Sequence, residues 1–220
     1  MRQIWALIWK DILIEFRSRQ FIGAMLAFTL VTLVTLNFAF DLIREQRETN
    51  GAGALWIAFF FAGTIGIGRT IAVERDRGTL DGLMLTPVDG GRLFLGKFGA
   101  SLASILFVEA IALPVFAILY DLPALDPMMF LIAIAGTAGF VGLGTLFSAA
   151  VASGRSREVL LPLLLFPLMI PVLIGAVRAT ADIFQGERGG DVIRWFNLLA
   201  GFDVIFIVLA YIGFSFIIEE

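Results

Sequence analysis

Stretches without a charged side chain recur along the chain in a regular order, separated by shorter polar segments. They cover residues 21–40, 52–68, 98–120, 128–152, 159–177 and 198–218, with Glu109 inside the third and Asp203 inside the sixth. A bilayer core is crossed by roughly 20 helical residues, and about 18 is the lower mark for a candidate. Five stretches reach that mark, and 52–68 falls just short and leaves little room for tilt. The pattern predicts an all-α membrane protein of six transmembrane helices, with both termini on one side. Residues 1–19 are too charged to cross, since Lys10, Asp11, Glu15 and Arg17 interrupt them. At 100° per residue, Trp5, Ile8, Trp9, Ile12 and Phe16 share one face, while Gln3, Lys10, Asp11, Arg17 and Ser18 share the other. Such a helix lies in the membrane interface.

Composition narrows the function. Apolar residues make up 59% and charged ones 16%, against roughly 45–50% and about 25% in soluble domains. A water-soluble enzyme of this kind could not cover its surface, and no stretch is left for a large soluble domain, so residues 1–220 read as one transmembrane domain. With no cysteine and no histidine, disulfides, thiolate metal sites and the commonest metal, haem and general-base side chain are excluded. The net charge of −3 and the lack of a basic tail argue against nucleic acid. No leader with a short apolar run and cleavage site is evident, and the first apolar stretch reads as part of the mature chain.

Lys and Arg in short connections set orientation. With the N-terminus inside, the cytoplasmic segments hold Arg2, Lys10, Arg17, Arg19, Arg69, Arg75, Arg77, Arg92, Lys97, Arg155 and Arg157. The opposite face holds Arg44, Arg47, Arg178, Arg188 and Arg194. The bias predicts cytoplasmic termini. Segments 41–53 and 121–127 then become short external turns, the second stopped by Pro123 and Pro127. Segment 178–197 reads as a longer external connection, with short interfacial helices around Gly186, Gly189 and Gly190.

The polar segment 70–97 is the one long enough to carry a task. Gly78 ends the helix descending from the second span, Thr79 N-caps a new one, and Pro87 closes it. Leu80, Leu83 and Met84 then form an apolar stripe at i, i+3 and i+4, suited to the groove of a partner protein. The spacing alone fits equally well with packing beneath the chain's own helix ends. Further on, Gly91, Gly96 and Lys97 imitate a phosphate-binding loop, but Phe98 stands where the magnesium-binding hydroxyl belongs and no strand precedes it. The chain therefore hydrolyses no ATP itself.

Intramembrane acids are costly and usually face a bundle interior or a wet cavity. Glu109 lies near the middle of its span, and Asp203 five residues into the sixth, so that their depths differ by about 9 Å at 1.5 Å per residue. They either line a substrate or proton path or are structural. In the structural case Glu109 bonds a hydroxyl such as Ser104 or Thr145, and Asp203 pairs with Arg178. Pro162, Pro167 and Pro171 bend the fifth span and mark a candidate hinge. Ala135, Ala138, Gly139 and Gly142 give the fourth span small-xxx-small pairs for close packing.

The segment 70–97 resembles the coupling loop of ABC-2 type exporter permeases. The residues that carry the resemblance are Glu74, Arg75, Gly78, Thr79, Leu80, Asp81, Leu83, Thr86, Pro87, Gly96 and Lys97. Three further stretches resemble one family within that group, the haem-exporter B subunit of the cytochrome c maturation system. They are Trp9 to Asp11 with Glu15 to Arg19, Ser156 to Pro162 continuing into Leu165 to Pro167, and Phe202, Asp203 and Val204. The resemblance implies a permease subunit in the bacterial cytoplasmic membrane, and six spans, half the number in a typical full transporter core, predict two copies per complex. It implies a separate ATPase subunit that holds ATP and Mg, with Glu74 to Pro87 (Met84 included) docking on it. It also implies membrane partners that load haem onto a periplasmic haem chaperone. Haem is then the substrate of the complex, and this chain binds no cofactor of its own. Axial ligation would need Met or Tyr, and no such pair stands at helical spacing. The reading leans to a subunit that transmits motion. An ABC-2 exporter for another amphipathic substrate, lipid-linked or drug-like, and a non-transporting scaffold are the alternatives.

Overall fold

The computed structural model describes residues 2–18, 20–40, 46–76, 89–151 and 157–219. These form seven helices: α1 (Arg2–Ser18), α2 (Gln20–Phe40), α3 (Arg47–Asp76), α4 (Gly90–Tyr120), α5 (Pro127–Val151), α6 (Arg157–Phe184) and α7 (Gly190–Glu219). The last six are each long and apolar enough to cross a membrane. Hydrocarbon offers the backbone no hydrogen-bond partner, so an apolar run must satisfy its own amides, and the helix does this.

Several helices outrun their apolar windows. α4 begins at Gly90, eight residues before the charge-free run. Asp89 caps it by accepting a 2.7 Å bond from the Arg92 amide. α3 starts at Arg47, inside the predicted external turn. The predicted long connection 178–197 contracts to 185–189, between the end of α6 and the start of α7. Gly186 there takes a φ of +85°, a left-handed turn that a side chain would strain. The glycine break is thus where the sequence puts it, but its flanks continue the two spanning helices. Their apolar positions explain this: Ile183, Phe184 and Val192 are buried in the core, and Phe184 stacks on Phe116 of α4 at 5.7 Å.

α5 lies at the centre and packs against α3, α4, α6 and α7. Close approach is what its small residues supply: a Cβ on Gly136 would stand 2.2 Å from the Trp56 ring. Trp56 is itself fully buried, donates from Nε1 to Thr180 Oγ1 at 2.9 Å, and Thr180 donates in turn to Met129 Sδ at 3.6 Å. Tyr120 donates to the Leu33 carbonyl at 2.9 Å, fastening α4 to α2. Salt bridges Arg47–Asp121 and Arg188–Asp126 gather three connections at this one end. A second, smaller core of Leu7, Leu93, Phe94, Ala149, Ala210 and Phe214 joins α1, α4, α5 and α7.

The three prolines of α6 sit inside one continuous helix. Pro167 and Pro171 face outward, while Leu161, Leu165, Met169 and Val172 turn inward. The unpaired carbonyls that proline leaves four residues upstream include those of the outward residues Leu163 and Pro167.

Candidate functional site

Charged and hydroxyl side chains meet inside the bundle at two places. The first is the seam between α1 and α4. Arg92 donates to Gln3 Oε1 at 2.8 Å, Lys97 Nζ reaches Asp11 Oδ2 at 2.8 Å, and Ser104 donates to Glu15 Oε2 at 2.5 Å. Phe16 then meets Phe107 edge-on at 5.0 Å. Both series of numbers rise together, so α1 runs alongside the first half of α4 in the same direction. Lys97 is only 2% exposed and Asp11 8%.

Of the apolar stripe read from periodicity, Trp5, Trp9 and Phe16 are exposed, at 66%, 54% and 41%, while Ile8 and Ile12 are half-buried. The opposite face differs from expectation. An interfacial helix would leave its polar side to water, whereas here Asp11 and Glu15 are turned onto α4. A buried ammonium explains this, because leaving Lys97 unpaired would cost several kcal/mol. Lys10 also contacts Asp11, through Oδ1 at 3.1 Å. Burial pushes the Glu15 carboxyl above the usual carboxylate range, the Ser104 hydroxyl pulls it back, and the Asp11 charge adds to the rise.

The second place surrounds α5. Glu109 of α4 is 2% exposed, and its Oε1 accepts from Thr137 Oγ1 at 2.7 Å. Among the described residues its Oε2 has no partner, nor has Thr145 Oγ1, nor Asp203 Oδ1. The hydroxyls expected to serve Glu109 are therefore not the ones that do. Ser104 is taken by Glu15, and Thr145 stands unbonded. Asp203 lies thirteen residues into α7, near its middle, because that helix starts at Gly190. Its carboxylate abuts the bare backbone of Gly139, where a Cβ would come within 2.4 Å of Oδ1. No ion pair joins it to Arg178 among the described residues. Arg178 is exposed and lies one helical turn before Asp182 on α6. The expected difference in depth is also corrected. Thr137 and Gly139 are about 3 Å apart along α5 and about 200° apart around it, so the two acids meet one level of α5 from opposite sides.

Of the loop residues singled out in the sequence, Gly78, Thr79, Leu80, Asp81, Leu83, Met84 and Pro87 lie outside the described residues. Glu74 and Arg75 fall in the last turns of α3. Among the described methionines, whose thioethers would suit haem iron, Met25, Met129 and Met169 are buried in the core together with Tyr120, and Met128 is half-buried against it. Tyr211 is 41% exposed and covers Gly91 beside the α1–α4 seam. Sequence reasoning missed the Lys97–Asp11 and Glu109–Thr137 pairs. The only signal for the first was a lysine entering an apolar span opposite a helix with one charged face. Among the described residues no cluster of carboxylates could hold a metal ion.

With this geometry in place, comparison with known proteins adds the family. Residues 2–219 match the family described as CcmB protein. Heme exporter protein B of Rhodobacter capsulatus is 30% identical over 206 residues, which cover 93% of each chain. Heme exporter protein B of Paracoccus denitrificans is 28% identical over 208 residues, again 93% of each. The Pseudomonas aeruginosa protein of the same description is 25% identical over 190 residues, 86% of this chain and 85% of the other.

Proposed function

Since the chain belongs to the CcmB protein family, we propose that it is the membrane permease subunit of a haem-exporting ABC transporter. A separate subunit hydrolyses ATP, and the complex delivers haem to a periplasmic chaperone for c-type cytochromes. The observation that carries this reading is a full-length match to that family in a chain whose six long helices are apolar enough to cross a membrane. The excess of Lys and Arg in 70–97 and at the N-terminus supports cytoplasmic termini in the bacterial inner membrane, with the ATPase docking on Leu80, Leu83 and Met84.

Within that complex the chain transmits motion instead of ligating the haem. Burial of Met25, Met129, Met169 and Tyr120 supports this, since each is already committed to packing or hydrogen bonding inside the core. Two copies of a six-span chain make a transporter core of twelve helices.

The test is Leu83→Asp, with complex yield, ATP hydrolysis and holo-cytochrome c measured together. A charge forced into a dry protein groove costs several kcal/mol, enough to empty the docking site. The bundle should remain folded while the ATPase subunit no longer co-purifies and holo-cytochrome c is lost. A mutant complex that assembles, hydrolyses ATP and matures cytochrome c normally would overturn the assignment. Soret absorbance in the purified wild-type complex separates haem from another amphipathic substrate.

A further inference from the structure

We propose that Lys97 and Asp11 are positioning residues that make α1 and the first half of α4 one rigid lever. This goes beyond the function proposed above and rests on it. The observations are geometric. Lys97 is among the most buried large side chains of the bundle, and its ammonium is 2.8 Å from a carboxylate of a helix 86 residues away in sequence. Around that pair the two helices interlock. Leu7 fills the space left open by Gly96, Ile8 lies over Gly99, and both ends of the seam carry further polar bonds, Arg92–Gln3 and Ser104–Glu15. In sequence α4 is the first element after the segment 77–88, so a push delivered there enters α4 at its base. A buried ion pair is costly to open in a dry interface. The displacement of α4 is therefore passed to α1, and through its exposed Trp5, Trp9, Leu13 and Phe16 to whatever surrounds the bundle.

The chain has no cysteine, which allows a covalent stand-in for the ion pair. Ile8 Cγ1 lies 3.1 Å from where a Cβ on Gly99 would stand, and truncating Ile8 removes the crowding atoms. Ile8→Cys with Gly99→Cys thus places two Cβ atoms near the roughly 3.5–4.5 Å that a disulfide spans. The experiment compares wild type, Lys97→Met, and each with this cysteine pair, oxidised and reduced, in the full complex. Asp11 retains Lys10 at 3.1 Å in Lys97→Met, so no stranded charge is created. Holo-cytochrome c formed per ATP hydrolysed should fall about tenfold in Lys97→Met, within the range of ordinary allosteric couplings. Oxidation should restore it and reduction should abolish it again. In the wild-type background, which does not depend on the folding of Lys97→Met, oxidation should leave turnover unchanged. Loss of turnover on oxidising wild type would overturn the proposal, because the two helices would then have to part. So would a Lys97→Met complex of normal yield and normal ratio. Failure of the underlying function reads out separately, as an ATPase subunit that never co-purifies with wild type.

Discussion

Thr137→Val isolates the interaction of an intramembrane acid with its partner. The change keeps the shape of the side chain and removes one hydroxyl. That hydroxyl is the only donor to Glu109 among the described residues, at 2.7 Å, and both groups are 2% exposed. Water cannot replace it without entering the core, so the acceptor is left unsatisfied, a loss of about 1–3 kcal/mol in proteins generally. Hydrogen bonds between membrane helices run lower, about 0.6 on average and up to about 1.7 kcal/mol. The expected destabilisation is therefore about 1–2 kcal/mol, roughly a five- to thirtyfold change in the unfolding equilibrium. Glu109→Met removes the other partner, and in the double variant no polar group is left stranded. The double variant should then be more stable than the sum of the two singles by about 1–2 kcal/mol. Unfolding in mixed micelles of graded SDS content measures all four proteins. Additivity within about 0.5 kcal/mol would refute the pairing, and so would a Thr137→Val cost below that figure.

Gly136→Ala drives a methyl to within 2.2 Å of the Trp56 ring, so overpacking should cost about 1–3 kcal/mol, read in the same unfolding assay. Because the folded Glu15 carboxyl is raised above its ordinary value of 4.5, its contribution to docking of α1 is complete below that pH. It is lost as pH rises through the folded value. Protection of α1 amides relative to their intrinsic exchange rates should accordingly rise on acidification from neutral pH, and Glu15→Gln should remove that part of the dependence. Asp203→Asn should leave the yield of the complex unchanged, and adding Arg178→Gln should alter nothing further, since the two do not pair. A yield that falls in the single variant and recovers in the double would contradict the structure.

The spans were legible because lipid enforces a rule that acts residue by residue: a helix crossing it must be apolar for its whole width. Helix ends obey no such rule. Gly90 to Lys97 and Gly190 to Asn197 contain polar side chains, and read alone they resemble loops. They are helical because neighbours cover them, Tyr211 over Gly91 and Leu7 over Gly96 in the first case. The carboxylates were recognisable as unusual from their setting in apolar runs, but their partners were not. Thr137 is one hydroxyl among several at suitable depth, and choosing it requires knowing which side of α5 faces α4. Arg178 is the natural mate for Asp203 only for a sixth span that begins at Leu198. Extending that helix back to Gly190 moves Asp203 to mid-helix and leaves the arginine behind. The polar face of α1 shows the same difficulty, since periodicity reveals that a helix has two faces and cannot say what either one meets.

That inward-turned polar face also has a consequence for biogenesis. Asp11 is synthesised 86 residues before Lys97, the buried partner it meets on α4. At roughly 5–20 residues per second, α1 leaves the ribosome about 4–17 s before its seat exists. During that interval Asp11 has Lys10 beside it but neither it nor Glu15 has its seat on α4, so α1 should wait at the membrane surface on its tryptophans while two spans are inserted ahead of the third. Only when α4 arrives can it roll its charged side inward. Nascent chains arrested before Lys97 should expose α1 to protease, and chains arrested after α4 has been inserted should not.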